Sequence, residues 1–368
     1  MKAVCEGIDL SYAALKVVKA CAQKTPLPIL ECIKISVRND KMTLIATDGE
    51  ISIQKTIKAE VYEDGDVCVL GKYFVDFIKK LEGMQLTLSS YNNKMEIIYG
   101  DSKTDMQVLS ANDFPEIDTD IKDSSVKLKS EDLKKFISST SFCCATDDSR
   151  PILKGCNFKV IGDDLSVTSL DGFRLGTVSG KVISSTGDIE FVCPARTLSE
   201  IEKMIPDNTE DSEIFIQKGM ILVSYEDTVL TSRLYGGDFI NKDNIIPKEF
   251  LSKVTVDKNA LKSSIERAAI VVRGDKNCLV TLDITGDRID ITSASEIGNL
   301  KESVKCELDG KDITISMNAK FIFDALNALD EEYAELSFNS GIQPFICENR
   351  EKKDKLYLIL PVRTVNNA

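Results

Sequence analysis

The 368-residue chain contains no histidine and no tryptophan. The missing histidine removes the commonest general base and the commonest metal ligand together. Cys143-Cys144 would therefore have no imidazole to activate it as a nucleophile. Eleven cysteines are present but no Cys-x-x-Cys pair, so structural zinc is not expected. Scattered among apolar neighbours, these cysteines read as small buried hydrophobes in a reducing compartment. No stretch approaches 18 apolar residues, and the opening MKAVCEGIDL is interrupted by Glu6 and Asp9, so neither a signal peptide nor a membrane span is expected. The expected location is the cytoplasm. Basic charge is also short: 46 Lys and Arg stand against 59 Asp and Glu, a net charge of −13. That balance excludes a protein that coats nucleic acid or anionic membrane with a basic surface, so any contact with DNA has to be local.

The remaining catalytic signals fail on spacing. GDVCVLGKY (65–73) resembles a phosphate loop, but it places five residues between its glycines instead of four, and Tyr73 stands where the magnesium-binding Ser or Thr belongs. The acid pairs Asp147-Asp148 and Asp163-Asp164 read as solvated turns, since neighbours on a strand would face opposite ways. Neither enzyme, metal nor cofactor is expected.

What the chain does contain is repetition. GKYFVDFIKKL (71–81), ARTLSEIEKMI (195–205) and AKFIFDALNAL (319–329) follow one another at intervals of 124 residues, each with a basic second residue and apolar residues at helical spacing. A second set, IDLSYAALKVVKACA (8–22), EDLKKFISSTSFCCA (131–145) and NALKSSIERAAIVV (259–272), is also amphipathic. The pattern predicts six helices, over 9–22, 72–82, 131–145, 195–205, 258–272 and 319–329. Between the two helices of each copy lie alternating strands joined by polar turns: CIKISV with MTLIAT, CNFKV with LSVTSL, and LVTLDI with RIDITSA. The Asp48-Gly49 and Asp171-Gly172 pairs then read first as hairpin ends. The fold class is α+β, with three tandem copies of one domain of two helices on antiparallel sheets, at 1–121, 122–249 and 250–368.

Across its whole length this arrangement resembles the bacterial replicative sliding clamp, the β subunit of DNA polymerase III. The resemblance rests on LPIL near 27, ANDFP at 111, RPILKG at 150, DGFRL at 171, NIIPK at 244, ALNAL at 325 and YLILPVR at 357–363, in order and at matching spacing. It implies a non-catalytic processivity factor: a head-to-tail homodimeric ring encircling duplex DNA without reading its sequence, served by a clamp loader. The replicative polymerase and other proteins carrying a clamp-binding motif would be its partners, with no membrane. The charge agrees with such a ring. The six helices carry 13 basic and 9 acidic residues, net +4, against 33 and 50, net −17, in the rest. A clamp-fold adaptor that binds proteins without encircling DNA remains the alternative.

By resemblance, Lys24, Lys72, Arg196 and Lys320 face DNA, and Ile270 and Val271 of one chain meet the strand of Met106 in the other, with Thr104 weakening that contact. Leu153, Leu170, Gly172, Phe173, Arg174, Leu175, Ile240, Asn244, Ile245, Leu358, Leu360, Pro361, Val362 and Arg363 match the positions that bind a short partner motif of the Gln-x-x-Leu-Phe type. Leu170 and Phe173 replace the family's usual Thr and His around Asp-Gly, 240–244 departs from its Pro-x-x-x-Arg, and TVNNA extends the tail. The pocket is expected to be more apolar than usual and to accept bulkier peptides.

Overall fold

The computed structural model describes residues 1–119, 123–206, 208–275 and 277–363. The expected boundary at 121/122 and the tail 364–368 therefore lie outside the described residues. Six α-helices occur among the described residues: α1 (Gly7–Val17), α2 (Gly71–Ile78), α3 (Ser130–Thr140), α4 (Ala195–Met204), α5 (Lys258–Val271) and α6 (Ala319–Ala328). Each overlaps the stretch where helical spacing placed it, α4, α5 and α6 to within a residue, whereas α2 stops at Ile78, four residues short of its expected end. The first expected helix ran too far, because α1 ends at Val17 and the chain continues as a 3-10 turn through Ala20. Likewise α3 passes into a 3-10 turn over Ser141–Cys143.

Each helix buries the stripe that its sequence sets out. Leu10, Ala13, Ala14 and Val17 form the buried face of α1, and Leu261, Ile265 and Ala268 that of α5. Burying one such leucine or isoleucine contributes about 1.5 to 3 kcal/mol. The last two helices have side-chain caps: Asp257 accepts from Ala260 N (2.7 Å), and Asn318 accepts from Lys320 N (2.9 Å). None of the described helices is long and apolar enough to cross a membrane.

The chain groups into two compact units, Met1–Lys127 with Lys203–Leu234, and Leu128–Glu202 with Tyr235–Ala368. In the first, an antiparallel sheet runs in the order Asp211–Gln217, Met220–Tyr225, Thr228–Arg233, Ile51–Lys58, Lys41–Thr47, Cys32–Arg38, Gly65–Leu70, Ser102–Leu109, Lys94–Tyr99, Gln85–Tyr91, Lys2–Glu6 and Glu60–Glu63. Helices α1 and α2 pack beside each other in this unit. Its hairpins turn on residues that tolerate positive φ: Asn39 and Asp40 (φ 53° and 54°), and Asn92 and Asn93 (46° and 59°).

In the second unit the antiparallel order is Ile189–Pro194, Gly155–Ile161, Asp164–Leu170, Arg174–Lys181, Lys355–Ile359, Phe345–Asn349, Tyr333–Phe338, Ser252–Asp257, Gly298–Gly310, Arg288–Ser295, Leu279–Thr285 and Ile313–Asn318. Helices α5 and α6 pack together over a core that includes Ile265, Ile322, Leu326, Phe338, Phe345 and Tyr357.

One joint occurs twice. In the first unit Thr228–Arg233 pairs with Ile51–Lys58, Leu230 opposite Ile53. In the second, Lys355–Ile359 pairs with Arg174–Lys181, Leu358 opposite Leu175. Each joins the last strand of one repeat to the fourth strand of the repeat before it. The remaining strands of these two kinds are open along one edge. Residues 102–107 pair only with Lys94–Tyr99, and residues 298–305 only with Arg288–Ser295, among the described residues.

Candidate functional site

The second unit carries an apolar cluster on one face of its sheet. Leu170, Leu175 and Leu358 lie in a row across three strands, Leu170 paired with Leu175 and Leu175 with Leu358. Alternation sends all three to the same face. Leu153 joins them from the 3-10 turn Pro151–Lys154, which Arg150 O holds through Leu153 N at 3.0 Å. Packed against these four are Ala145, Ile152, Phe239, Ile240, Ile245, Ile246 and Leu356.

The wall containing Ile240 and Ile245 is a loop that local chemistry fixes. Asn241 caps the short turn Lys242–Asn244 by accepting from Asp243 N at 3.0 Å, and Ile245 N and Ile246 N both donate to Lys242 O. Lys242 Nζ then donates to Thr177 Oγ1 at 3.0 Å, tying the loop to the sheet. Burial lowers the pKa of this ammonium, against a smaller upward pull from Asp243.

Next to the cluster the Asp171-Gly172 hairpin turns tightly. Asp171 Oδ1 accepts from Phe173 N (2.9 Å) and Arg174 N (3.0 Å), and Gly172 adopts φ 89°, where any larger residue would be strained. The turn at Asp48-Gly49 repeats the arrangement, with Asp48 Oδ1 accepting from Glu50 N and Ile51 N. Both are hairpin ends, as their composition suggested.

The structure thus brings Leu153, Leu170, Leu175, Ile240, Ile245 and Leu358 together, while other expected residues lie around them. Phe173 is 63% exposed and stacks on Phe321 of α6 (6.5 Å, 27°). Arg174 points to the opposite face of its strand from Leu175. Its guanidinium lies between the rings of Phe321 (4.5 Å) and Phe142 (5.4 Å), paired with Asp324 (2.7 Å) and Asp171 (3.1 Å). Burial works against its charge, but the bond to Asp324 and the neighbouring acids outweigh it and raise its pKa.

Gly172 and Asn244 are exposed on their turns. Leu360 N still reaches Phe173 O (2.9 Å), Pro361 has no N–H to offer, and Val362 N crosses instead to Ser316 O (2.7 Å). Arg363 is exposed. The sequence reading passed over Phe239, Ile246, Phe142 and Phe321. A signal for the last was available: α6 has apolar residues beyond its buried stripe, which implies a second covered side.

Lys72, Arg196 and Lys320 each occupy the second position of α2, α4 and α6 and are exposed, as is Lys24. Met106 is half-buried in Ser102–Leu109, and Ile270 (61% exposed) with half-buried Val271 closes α5. The eleven cysteines are free thiols, eight of them buried. Burial pushes Cys5 up to about 12, with help from Asp9 and Glu6, and Cys32 up to about 11, helped by Glu31. Such thiols are poor nucleophiles at neutral pH.

The sequence matches three family models in succession: the DNA polymerase III beta subunit N-terminal domain over 1–118, its central domain over 127–241 and its C-terminal domain over 243–363. A beta sliding clamp of Staphylococcus aureus is 31% identical over 357 residues, spanning 94% of this chain and 95% of the relative. Among solved structures, a putative DNA polymerase III beta subunit from Eubacterium rectale superposes with a TM-score of 0.94 at 31% identity, covering 99% of this chain and all of that one. The DNA polymerase sliding clamp of Bacillus subtilis gives 0.94 at 28% identity, covering 99% of each.

Proposed function

Since the chain belongs to the DNA polymerase III beta-subunit family, it is a sliding clamp, a non-catalytic processivity subunit, and we propose that two copies close head to tail into a ring around duplex DNA. The observation that carries this reading is the repeated joint. Thr228–Arg233 on Ile51–Lys58 and Lys355–Ile359 on Arg174–Lys181 use the same pair of repeat positions. The next members of the series, 102–107 and 298–305, each keep a free edge. A free strand edge invites pairing, and two chains supply each other's missing strand twice, which closes the series. Ile270 and Val271 against the strand of Met106 would flank that contact. The three copies are bounded at 1–121, 122–249 and 250–368.

Lys24, Lys72, Arg196 and Lys320 would face the DNA, three of them at one repeated helical position. A mildly positive set of helices in a chain of net charge −13 attracts phosphate without gripping it, and discourages DNA from binding elsewhere. The cluster of Leu153, Leu170, Leu175, Ile240, Ile245 and Leu358 would receive the apolar residues of a partner motif, from the replicative polymerase, the clamp loader or other replication and repair proteins. Phe173, Leu360, Pro361, Val362 and Arg363 would border it on one side, with Gly172 and Asn244 shaping the turns and Arg174 bracing the strand from behind. The free thiols suit a reducing compartment, and we place the protein in the cytoplasm.

Retention on DNA tests the ring. Loaded on a nicked circle, the protein should survive salt that strips it from the same DNA made linear, because direct affinity is expected in the nonspecific range of roughly 10⁻⁴ to 10⁻⁶ M. Equal retention on both forms would overturn the ring and leave an adaptor that binds proteins only.

A further inference from the structure

The apolar cluster is one end of a longer surface. Along the same sheet face, Leu170 is followed two residues back by Thr168 and then Ser166, and Leu175 is followed by Thr177, so the row of leucines gives way to hydroxyls. Thr168 and Thr177 meet at 3.0 Å. Here a groove of about 700 Å³ opens, and the loop residues Phe239 and Ile240 form a wall common to it and to the cluster.

The charges in the groove are unequally matched. Glu190 is engaged by Lys159 at 3.4 Å and by Asn157 Nδ2 at 2.9 Å. Lys242 is half-buried, and its ammonium makes one hydrogen bond, to Thr177 Oγ1, and no ion pair among the described residues. Asp238 and Asp243 also line the groove, but neither carboxylate bonds Lys242. A half-buried cation satisfied only by a hydroxyl gains from an incoming carboxylate.

Resting on the reading of the cluster as a partner-motif site, we propose that the groove receives an Asp or Glu side chain of the partner segment, held by Lys242, beside the apolar residues seated at the half-buried rim of the leucine cluster, Ile240 and Ile245. Thr177, whose hydroxyl Lys242 bonds, stands two residues along its strand from Leu175, so in an extended segment, at about 3.3 Å per residue, the acid stands about two or more residues from the apolar anchor. Partners are thereby ranked by the charge flanking their motif as well as by the motif itself.

The test uses the full chain and amidated, dye-labelled Gln-x-x-Leu-Phe peptides, flanked on one side or the other by two Asp or by two Asn. One Asp-flanked peptide should bind about fivefold tighter than its Asn twin at low salt. Lys242→Gln should bring that ratio to one, and Lys242→Arg should keep it. A ratio, unlike a single affinity, cancels any general change in the wall. Equal binding of both pairs of twins to the natural chain would overturn the acid site and leave the apolar pocket standing. Persistence of the preference in Lys242→Gln would overturn the role of Lys242, and no binding of any peptide would overturn the pocket reading itself.

Discussion

Leu175 and Leu358 sit opposite each other on adjacent strands, 2% and 1% exposed, so that a strand from the end of the chain completes a floor begun in its middle. Because both are nearly inaccessible, a partner would touch the rim of this floor more than its base. The half-buried Ile240 is therefore the better position to probe. Ile240→Asp should raise the dissociation constant of a Gln-x-x-Leu-Phe peptide, expected near micromolar (about −8 kcal/mol), by at least about tenfold. Fluorescence anisotropy measures it, and unchanged affinity in a normally melting variant would remove the pocket. Removing the tail after Leu356 would be a poor test, because Tyr357, Leu358 and Ile359 are all core.

Arg174 braces the second unit from behind that floor. Its bonds to Asp324, Asp171 and Phe142 O all lie in a site where the guanidinium is 8% exposed. Arg174→Ala leaves two acids without their cation and two rings without their filling, and should cost about 3 kcal/mol of stability. Arg174→Lys, unable to match the planar fork, should recover only part of it. Calorimetric unfolding decides, and a variant within about 0.5 kcal/mol of the parent would show that the sandwich adds nothing.

Ile270 exposes 61% of its surface at the end of α5, where no described neighbour covers it. Ile270→Asp should convert a dimer to monomers at micromolar concentration while leaving the melting of the chain's own core unchanged. Light scattering distinguishes the two. A natural chain that is already monomeric there would sink the homodimer.

Glu302 binds Arg267 through two bonds, 2.6 and 2.7 Å, and also accepts from Ser264. The bond to Arg267, foremost, holds its carboxyl down from 4.5 to about 2. A depressed carboxyl stabilises the fold fully above its unfolded pKa, and that contribution fades as pH falls from about 4.5 toward 2. Thermal unfolding of the parent and Glu302→Gln across this window should therefore converge toward acid, the variant having the shallower dependence. Parallel curves would contradict the assignment.

The architecture was legible because helical stripes such as Leu10, Ala13, Ala14 and Val17 recur at fixed offsets, and because pairs such as Asn39-Asp40 mark hairpins. Helix ends were less so: nothing in VVKACA announces that α1 tightens to a 3-10 turn at Val18. For the site, alternation alone sends Leu175 one way and Arg174 the other, yet a motif matched as a string, DGFRL, lists them side by side. Phe142 and Phe321, which enclose Arg174, are far from it in sequence. Only the folded sheet and helix reveal that proximity, since a ring's partner is not encoded in its neighbours.

The two internal joints have little lettering in common: TVLTSR pairs with Ile51–Lys58 in one and KLYLI with Arg174–Lys181 in the other. Main-chain N–H and C=O groups make the seam, and these are the same for every residue but proline. A seam of that kind constrains the rhythm of a strand, its length and which face is greasy, while leaving spelling open. Drift can rewrite such a strand almost completely, one letter at a time, and the assembly would still close.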